Sequence, residues 1–351
     1  MLNTIRQRYW PSGGRNLTHH IFHQCVRCFQ TSPKLQVQLM GNLPTARVTV
    51  PLRPFTVSGV DYCGPFFVKP SRKKGQQGTE CYICVSICFS CKAVHLELAE
   101  DISTASFIAA LQRFISRRGR PSEMYSDNET NFVGAQREIQ HILDSEKFQT
   151  SIAQEGIKWH FQLPSAPNFG SSWESSVKLV KTHLKRVIGQ SCLTMIEFIT
   201  LITQIEACVS SRLITPMSPS DLVALTPAHF LIGIVLTDLP GPILLDISQN
   251  RLNQWQHVQQ MKQHFWAHWS KDYLSNLQQR YKWQSNSSAI QPGSMVVVKE
   301  GNLPPFKWPL ARVTAIHPGR DNCVRVATVK TTNGELKRPV NKLRLLPFPN
   351  N

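Results

Sequence analysis

Between residues 56 and about 188 the apolar residues change their period in a fixed order, from alternation to helical spacing, and that order most constrains the fold. The runs TVSGVD, PFFVKP, CYICVSICF and AVHLEL, interrupted by a Ser, Arg, Lys and Gly loop at 71–79, predict three strands paired antiparallel. TASFIAALQRFISRRG places apolar residues at 107, 108, 111, 114 and 115, one helix face, and stops at Gly119 with basic residues in its last turn. PSEMYSD then reads as a fourth strand, 133–148 as a second helix and IKWHFQLP as a fifth strand. The loop SAPNFG precedes a further helix, SSWESSVKLVKTHLKRVIG. Three strands followed by helix, strand, helix, strand and helix predict an α/β unit, a mixed five-stranded sheet flanked by helices.

Outside that unit the texture differs. The first 30 residues read as two short helical segments around a Ser-Gly-Gly turn, ending in Cys25-Val-Arg-Cys28, and prolines at 33, 44, 51 and 54 suit an extended connector over 31–55. The α/β unit is expected over 56–212, its last helix at 194–212. Residues 213–288 form a connector of little periodicity that leads into a long amphipathic helix, 251–283, with apolar or aromatic residues at 255, 258, 265, 266, 269, 273, 274, 277 and 281. A packed face is the simplest account of that helix, and a partner surface the alternative. From 289 to 351, MVVVKE, ARVTAIHPG, CVRVATVK and LKRPVNKLRLLP predict a small all-β barrel. No apolar run approaches the roughly 20 residues of a bilayer span, so no membrane is expected and an intracellular protein is.

Three acids stand at telling places. Asp61 is expected to end the first strand, Asp127 to end the fourth, and Glu174 to open the helix after SAPNFG. Strand ends at one sheet edge can bring two carboxylates together, and a helix starting over that edge can add a third. Such a set can hold two divalent ions roughly 4 Å apart. Magnesium suits hard carboxylate oxygens and keeps water in its octahedron. Each acid also has a plainer reading, since an aspartate before Gly64-Pro65 or Asn128 serves a turn, and Ser171 with Glu174 has capping-box spacing.

Charge adds a partner. The 39 lysines and arginines against 22 aspartates and glutamates leave a formal charge of +17, which favours a polyanion such as double-stranded DNA. Glu174, Lys178, Lys181 and Lys185 share one helix face opposite Val177, Val180, Leu184 and Val187, with His183 and Arg186 positioned to widen the basic strip. A solvated helix face has the same pattern.

At these residues the sequence closely resembles the integrase region of Pao/BEL-type long-terminal-repeat retrotransposons. The matching stretches are IRQRYW (5–10), CVRC (25–28), MGNLPTARV (40–48), VDYCGPF (60–66), KAVHLEL (92–98), SDNETNFVGA (126–135), PSAPNFG with WE, LTPAHFLIG (225–233) and NLPPFKWPLARV (302–313). The resemblance covers essentially the whole chain. It implies a ribonuclease H-like core and a terminal SH3-like DNA-contacting module. It also implies a catalytic metal triad of Asp61, Asp127 and Glu174 using Mg²⁺ or Mn²⁺, and DNA contacts from Lys178, Lys181, Lys185 and Arg186. Further phosphate contacts are expected among Lys299, Lys307, Arg312, Arg320, Lys337 and Arg338.

The activity so implied is 3′-end processing and strand transfer of retroelement ends into target DNA, by a homo-oligomer acting in the nucleus. A catalytically silent DNA-binding or assembly protein and a two-metal nuclease are the competing readings. The family pattern has paired histidines upstream of Cys25 and Cys28 to complete a Zn²⁺ site. This sequence lacks them, so a clipped zinc module is expected and the weight falls against zinc. Glu129 replaces the usual glycine after Asp-Asn, and Ser171 and Ser172 depart from the pattern before Trp173-Glu174.

Cys81, Cys84, Cys88 and Cys91 have the spacing of a four-thiolate site, but the segment is continuously apolar and β-prone. Alternation places Cys84 and Cys88 on one face and Cys81 and Cys91 on the other, as buried core thiols rather than ligands.

Overall fold

The computed structural model describes residues 2–6, 8–25, 53–71, 77–127, 130–144, 156–161, 181–189, 193–218, 221–277, 290–300, 303–319 and 323–347. The chain divides into two units, Met1–Pro44 and Thr45–Asn351. In the first, α1 (Leu2–Arg6) and α2 (Gly14–Gln24) are the described elements, and Arg6 lies over the Trp10 ring at 4.5 Å.

The second unit is built on a mixed sheet. Its strands are β1 (Val57–Lys69), β2 (Thr79–Cys88), β3 (Val94–Ala99), β4 (Glu123–Ser126) and β5 (Lys158–Phe161), in the spatial order β3-β2-β1-β4-β5. β1, β2 and β3 pair antiparallel, while β4 pairs parallel with β1 and β5 parallel with β4. This is the ribonuclease H-like arrangement expected, with one addition. A sixth strand, β6 (Leu193–Thr194), pairs parallel with the far end of β1 at Val68 and Lys69.

Two layers of helices cover this sheet. On one face α3 (Thr104–Arg118) and α4 (Thr130–Asp144) bury Phe107, Phe114 and Phe132 against Val60, Cys84 and Met124. Ser103 caps α3 by accepting the Ser106 N–H, and Gly119 ends it at φ +82, where any β-carbon would also strike the Arg53 guanidinium. On the other face lie α5 (181–188), α6 (Met195–Ser210) and α8 (Gln254–Asn276), which bury Leu184, Phe198, Phe265 and Trp269 against Val85 and Leu96. Each such side chain contributes about 1.5–3 kcal/mol of transfer free energy. The long helix therefore uses its apolar residues for packing. Trp255, counted among them, is instead 56% exposed, because it stands in the first turn, ahead of the buried stretch that begins at Val258.

The weakly patterned stretch after α6 holds a two-stranded ribbon, β7 (Thr215–Pro216) with β8 (Ala224–Leu225), and α7 (Pro227–Ile232). LTPAHFLIG holds the whole of α7 between its caps, Thr226 and Gly233. Thr226 is its N-cap, and His229 Nδ1 accepts the Thr226 N–H at 3.0 Å, the part a glutamate plays in a capping box. The terminal strands β9 (Met295–Val298), β10 (Leu310–Pro318), β11 (Val324–Thr331), β12 (Gly334–Pro339) and β13 (Leu343–Leu345) form the small antiparallel SH3-like sheet, in the order β12-β11-β10-β9-β13.

Candidate metal and nucleic-acid site

Asp61 does not end a strand. β1 runs eight residues past it to Lys69, with a register shift against β2 between Cys63 and Phe66. The expected strand end follows from Gly64-Pro65, which the strand absorbs as an irregularity. Position is what matters, because β1 shares one edge between two partners: β4 beside Val57–Gly59 and β6 beside Val68–Lys69. Among the described residues, Asp61 lies on β1 between those two ladders, where the sheet opens.

Asp127 follows directly on β4. The β1–β4 ladder pairs Val57 with Glu123, Ser58 with Met124 and Gly59 with Tyr125. That offset is the one separating Asp61 from Asp127; the ladder ends two residues short of them, and a register continued past Tyr125 would align the two aspartates at the strand spacing of about 4.8 Å. Alternation also gives them one face. Tyr125 and Cys63, each two residues away from one of the aspartates, both belong to the core under α5, α6 and α8. The backbone at Asp127 is held from behind. Trp159 Nε1 donates to Ser126 Oγ at 3.0 Å, and Ser126 Oγ donates to the Asp127 carbonyl at 2.9 Å.

Over the same face, α5 brings Lys181, whose Nζ donates to Asp61 Oδ2 at 2.8 Å. Its anchoring side is apolar, with Leu184 and Ile188 buried, while Lys185 and Arg186 are exposed. His183 does not widen the basic strip. It is 1% exposed, Nε2 lies 3.3 Å from Asp272 Oδ2, and burial lowers its pKa, so it pins α5 to α8 as a neutral ring. Cys63 beneath is pushed up to about 11 by burial, against the pull of Lys181 and Lys185.

Glu174, Lys178, Cys28, Glu129, Ser171 and Ser172 lie outside the described residues, as does Arg320. Cys25 is described and caps the end of α2. Among the described residues no three histidines, cysteines or carboxylates gather as a metal site. The donor set at Asp61 and Asp127 nevertheless fits a hard divalent cation. It consists of carboxylate oxygens, and one of them already holds a positive charge, the Lys181 ammonium.

Two groups of residues read differently in the structure. KAVHLEL supplies a buried network at the outer edge of the sheet, where β3 is the last strand. His95 Nε2 and Glu97 Oε1 are 3.0 Å apart, Arg113 Nε donates to Glu97 Oε2 at 2.7 Å, and Arg117 Nη1 lies 2.9 Å from Glu97 Oε1. Glu206 of α6 accepts the Leu96 N–H at 2.8 Å and pairs with Arg118. Burial alone would lower the His95 pKa, but Glu206 and Glu97 raise it. Burial would raise that of Glu97, but His95 and Arg113 lower it. The network blunts an exposed strand edge. The alternation of His95 and Glu97 on one strand face was its only sequence signal.

In the terminal sheet Arg312 donates to the carbonyls of Gly293, Ser218 and Asp221, so its guanidinium fastens the sheet to Ser218 and Asp221 rather than facing phosphate. Trp308 Nε1 likewise donates to the Ser211 carbonyl at 2.9 Å. The cysteine run is core, as expected, with Cys81 on the α6 side and Cys84 and Cys88 on the α3 side. Cys91 falls with Cys88, because the strand ends at Cys88 and the turn through Lys92 (φ 57) ends the alternation.

Residues 253–346 match a family of unknown function (DUF5641), a span that runs from the N-cap of α8 through β13. The chain is also similar to a solved structure described as the simian T-cell lymphotropic virus intasome in complex with PP2A regulatory subunit B56 gamma. That likeness has 13% identity and a TM-score of 0.36 over 99% of each chain, too distant to transfer a function. No curated protein matches the sequence. Among the described residues no helix is long and apolar enough to cross a membrane.

Proposed function

We propose that the chain is an integrase-like polynucleotidyl transferase of the Pao/BEL retroelement type, acting on duplex DNA through Asp61, Asp127 and Glu174. The observation that carries this reading is the β1–β4 register, which, continued two residues past its last pair, would align Asp61 with Asp127 beside an opening in the sheet and beneath a basic helix. Carboxylates so placed would hold Mg²⁺ or Mn²⁺, which when bound activates the attacking oxygen and stabilises the departing one at phosphorus. Asp61 would supply a ligand from within β1 and Asp127 from just past the end of β4. Ser126 and Trp159 hold the backbone at Asp127, and Glu174, preceding α5, would complete the set.

Lys185 and Arg186 face solvent on α5 and, with Lys178, would hold the phosphate backbone without reading bases. Self-association into a multimer and action in the nucleus accompany this reading. A Zn²⁺ contribution from Cys25 and Cys28 does not.

The test is strand transfer by the full chain with a labelled duplex carrying retroelement-like ends, in Mg²⁺ or Mn²⁺. Joined products from the unmodified protein that vanish in Asp61→Asn are expected. Cleavage without joining would reassign the chain as a two-metal nuclease. Duplex binding with no chemistry in either protein would reassign it as a silent DNA-binding or assembly protein.

A further inference from the structure

We infer that Lys181 is a placeholder cation for the metal at Asp61, and that metal entry hands its ammonium over to a DNA phosphate. The inference rests on the proposed function and adds a coupling between its two ligands. Lys181 Nζ donates to Asp61 Oδ2 at 2.8 Å, and both side chains are partly open to solvent, 30% and 25% exposed. The pair is therefore reachable and exchangeable, unlike the His95–Glu97 pair of the β3 edge, whose side chains are 1% and 7% exposed.

An ammonium and a divalent ion cannot share one carboxylate oxygen at contact distance without strong like-charge repulsion. Metal bound through Asp61 Oδ2, the oxygen that accepts from Lys181, must displace the lysine. The helix itself stays, because Leu184, Ile188 and the His183–Asp272 contact fix it to the core, so only the flexible four-carbon stem swings. The freed ammonium then joins Lys185 and Arg186, the exposed cations of the same helix, where a phosphate backbone would lie. In the metal-free protein Asp61 is kept neutralised, and one phosphate contact is withheld until the site is loaded. Linkage makes the effect reciprocal: metal strengthens duplex binding by the factor by which duplex strengthens metal binding.

Four full-length proteins test this: unmodified, Lys181→Met, Asp61→Asn and the double variant. Mn²⁺ binding without DNA is followed by the loss of its free paramagnetic signal. Duplex binding is followed by fluorescence anisotropy with and without Ca²⁺, which occupies hard oxygen sites without the geometry for turnover. Lys181→Met is expected to bind Mn²⁺ on the order of threefold tighter, the scale of an exposed ion pair. Ca²⁺ is expected to tighten duplex binding by the unmodified protein and much less by Lys181→Met. Asp61→Asn, whose lysine is released without metal, is expected to bind duplex in chelator nearly as well as the unmodified protein does in Ca²⁺.

The double variant separates release of Lys181 from mere loss of a negative charge. If it keeps the full gain of Asp61→Asn, the placeholder is overturned. If Mn²⁺ binding depends on Asp61 but is unchanged in Lys181→Met, the placeholder fails while the metal site stands. Mn²⁺ binding that is indifferent to Asp61→Asn removes the metal site and with it the proposed function.

Discussion

Two carboxylate clusters stand on the same sheet, one at its β3 edge and one on the central strand β1, and they are built on opposite terms. At the β3 edge Glu97 and Glu206 are saturated: His95, Arg113, Arg117, Arg118 and the Leu96 N–H occupy their oxygens, and Glu97 is 5% exposed. At the opening beside β1, the partner of Asp61 among the described residues is the exchangeable Lys181. A saturated carboxylate has nothing left to offer a ligand, whereas one held by a single mobile cation can trade it. The same contrast divides the cations. Arg312 is spent on three carbonyls, while Lys185 and Arg186 face solvent.

The largest expected effect tests the open cluster. Asp61→Asn and Asp127→Asn should each reduce strand transfer by roughly a thousandfold, the several kcal/mol that a lost metal ligand costs. Thermal midpoints should stay near that of the unmodified protein. A thermal loss matching the activity loss would make these aspartates structural and erase the contrast.

At the saturated edge the reverse is expected. Glu97→Ala leaves His95 buried without its Nε2 partner and should cost about 3 kcal/mol in denaturant unfolding, the scale of a broken buried pair. Activity of the folded fraction should persist. A neutral result would mean that the network is dispensable packing.

How far this division was legible depends on whether its causes are local. The five main strands and α3 follow from alternation, helical spacing and a terminal glycine, all contained in short windows. So does the nomination of Asp61 and Asp127, but their pairing needed the β1–β4 register, which no window contains. Asp61 reads as a strand end because Gly64-Pro65 signals a turn, and only β2 and β6 carry β1 onward. Glu206 is 110 residues from the Leu96 N–H it accepts, and His183 reads as one more basic residue until α8 buries it against Asp272. Cys91 misled for a local reason: alternation was extended one turn too far.

A smaller effect sharpens the contrast among cations. Lys185→Ala and Arg186→Ala should each weaken duplex binding uniformly across sequences and lower the salt slope by about one, without loss of stability. Arg312→Gln should do the opposite, lowering stability by about 1–2 kcal/mol through its unpaired carbonyls while leaving the salt slope unchanged. A reduced slope for Arg312→Gln would return it to the DNA surface.

The smallest effect is the pH dependence of the β3 edge. The His95 pKa is raised in the folded protein from an ordinary value of 6.5, and that of Glu97 is lowered from 4.5. A raised histidine contributes stability that is complete below 6.5 and is lost as pH climbs through its folded value. A lowered carboxylate contributes stability that is complete above 4.5 and is lost as pH falls through its folded value. Both contributions are whole between pH 4.5 and 6.5, so the thermal midpoint should be highest there and decline on the alkaline side as His95 loses its proton. His95→Gln should flatten the alkaline limb, whereas Asp61→Asn should leave it unchanged, because the open cluster does not hold the fold together. An alkaline limb that survives in His95→Gln would place the titrating group elsewhere.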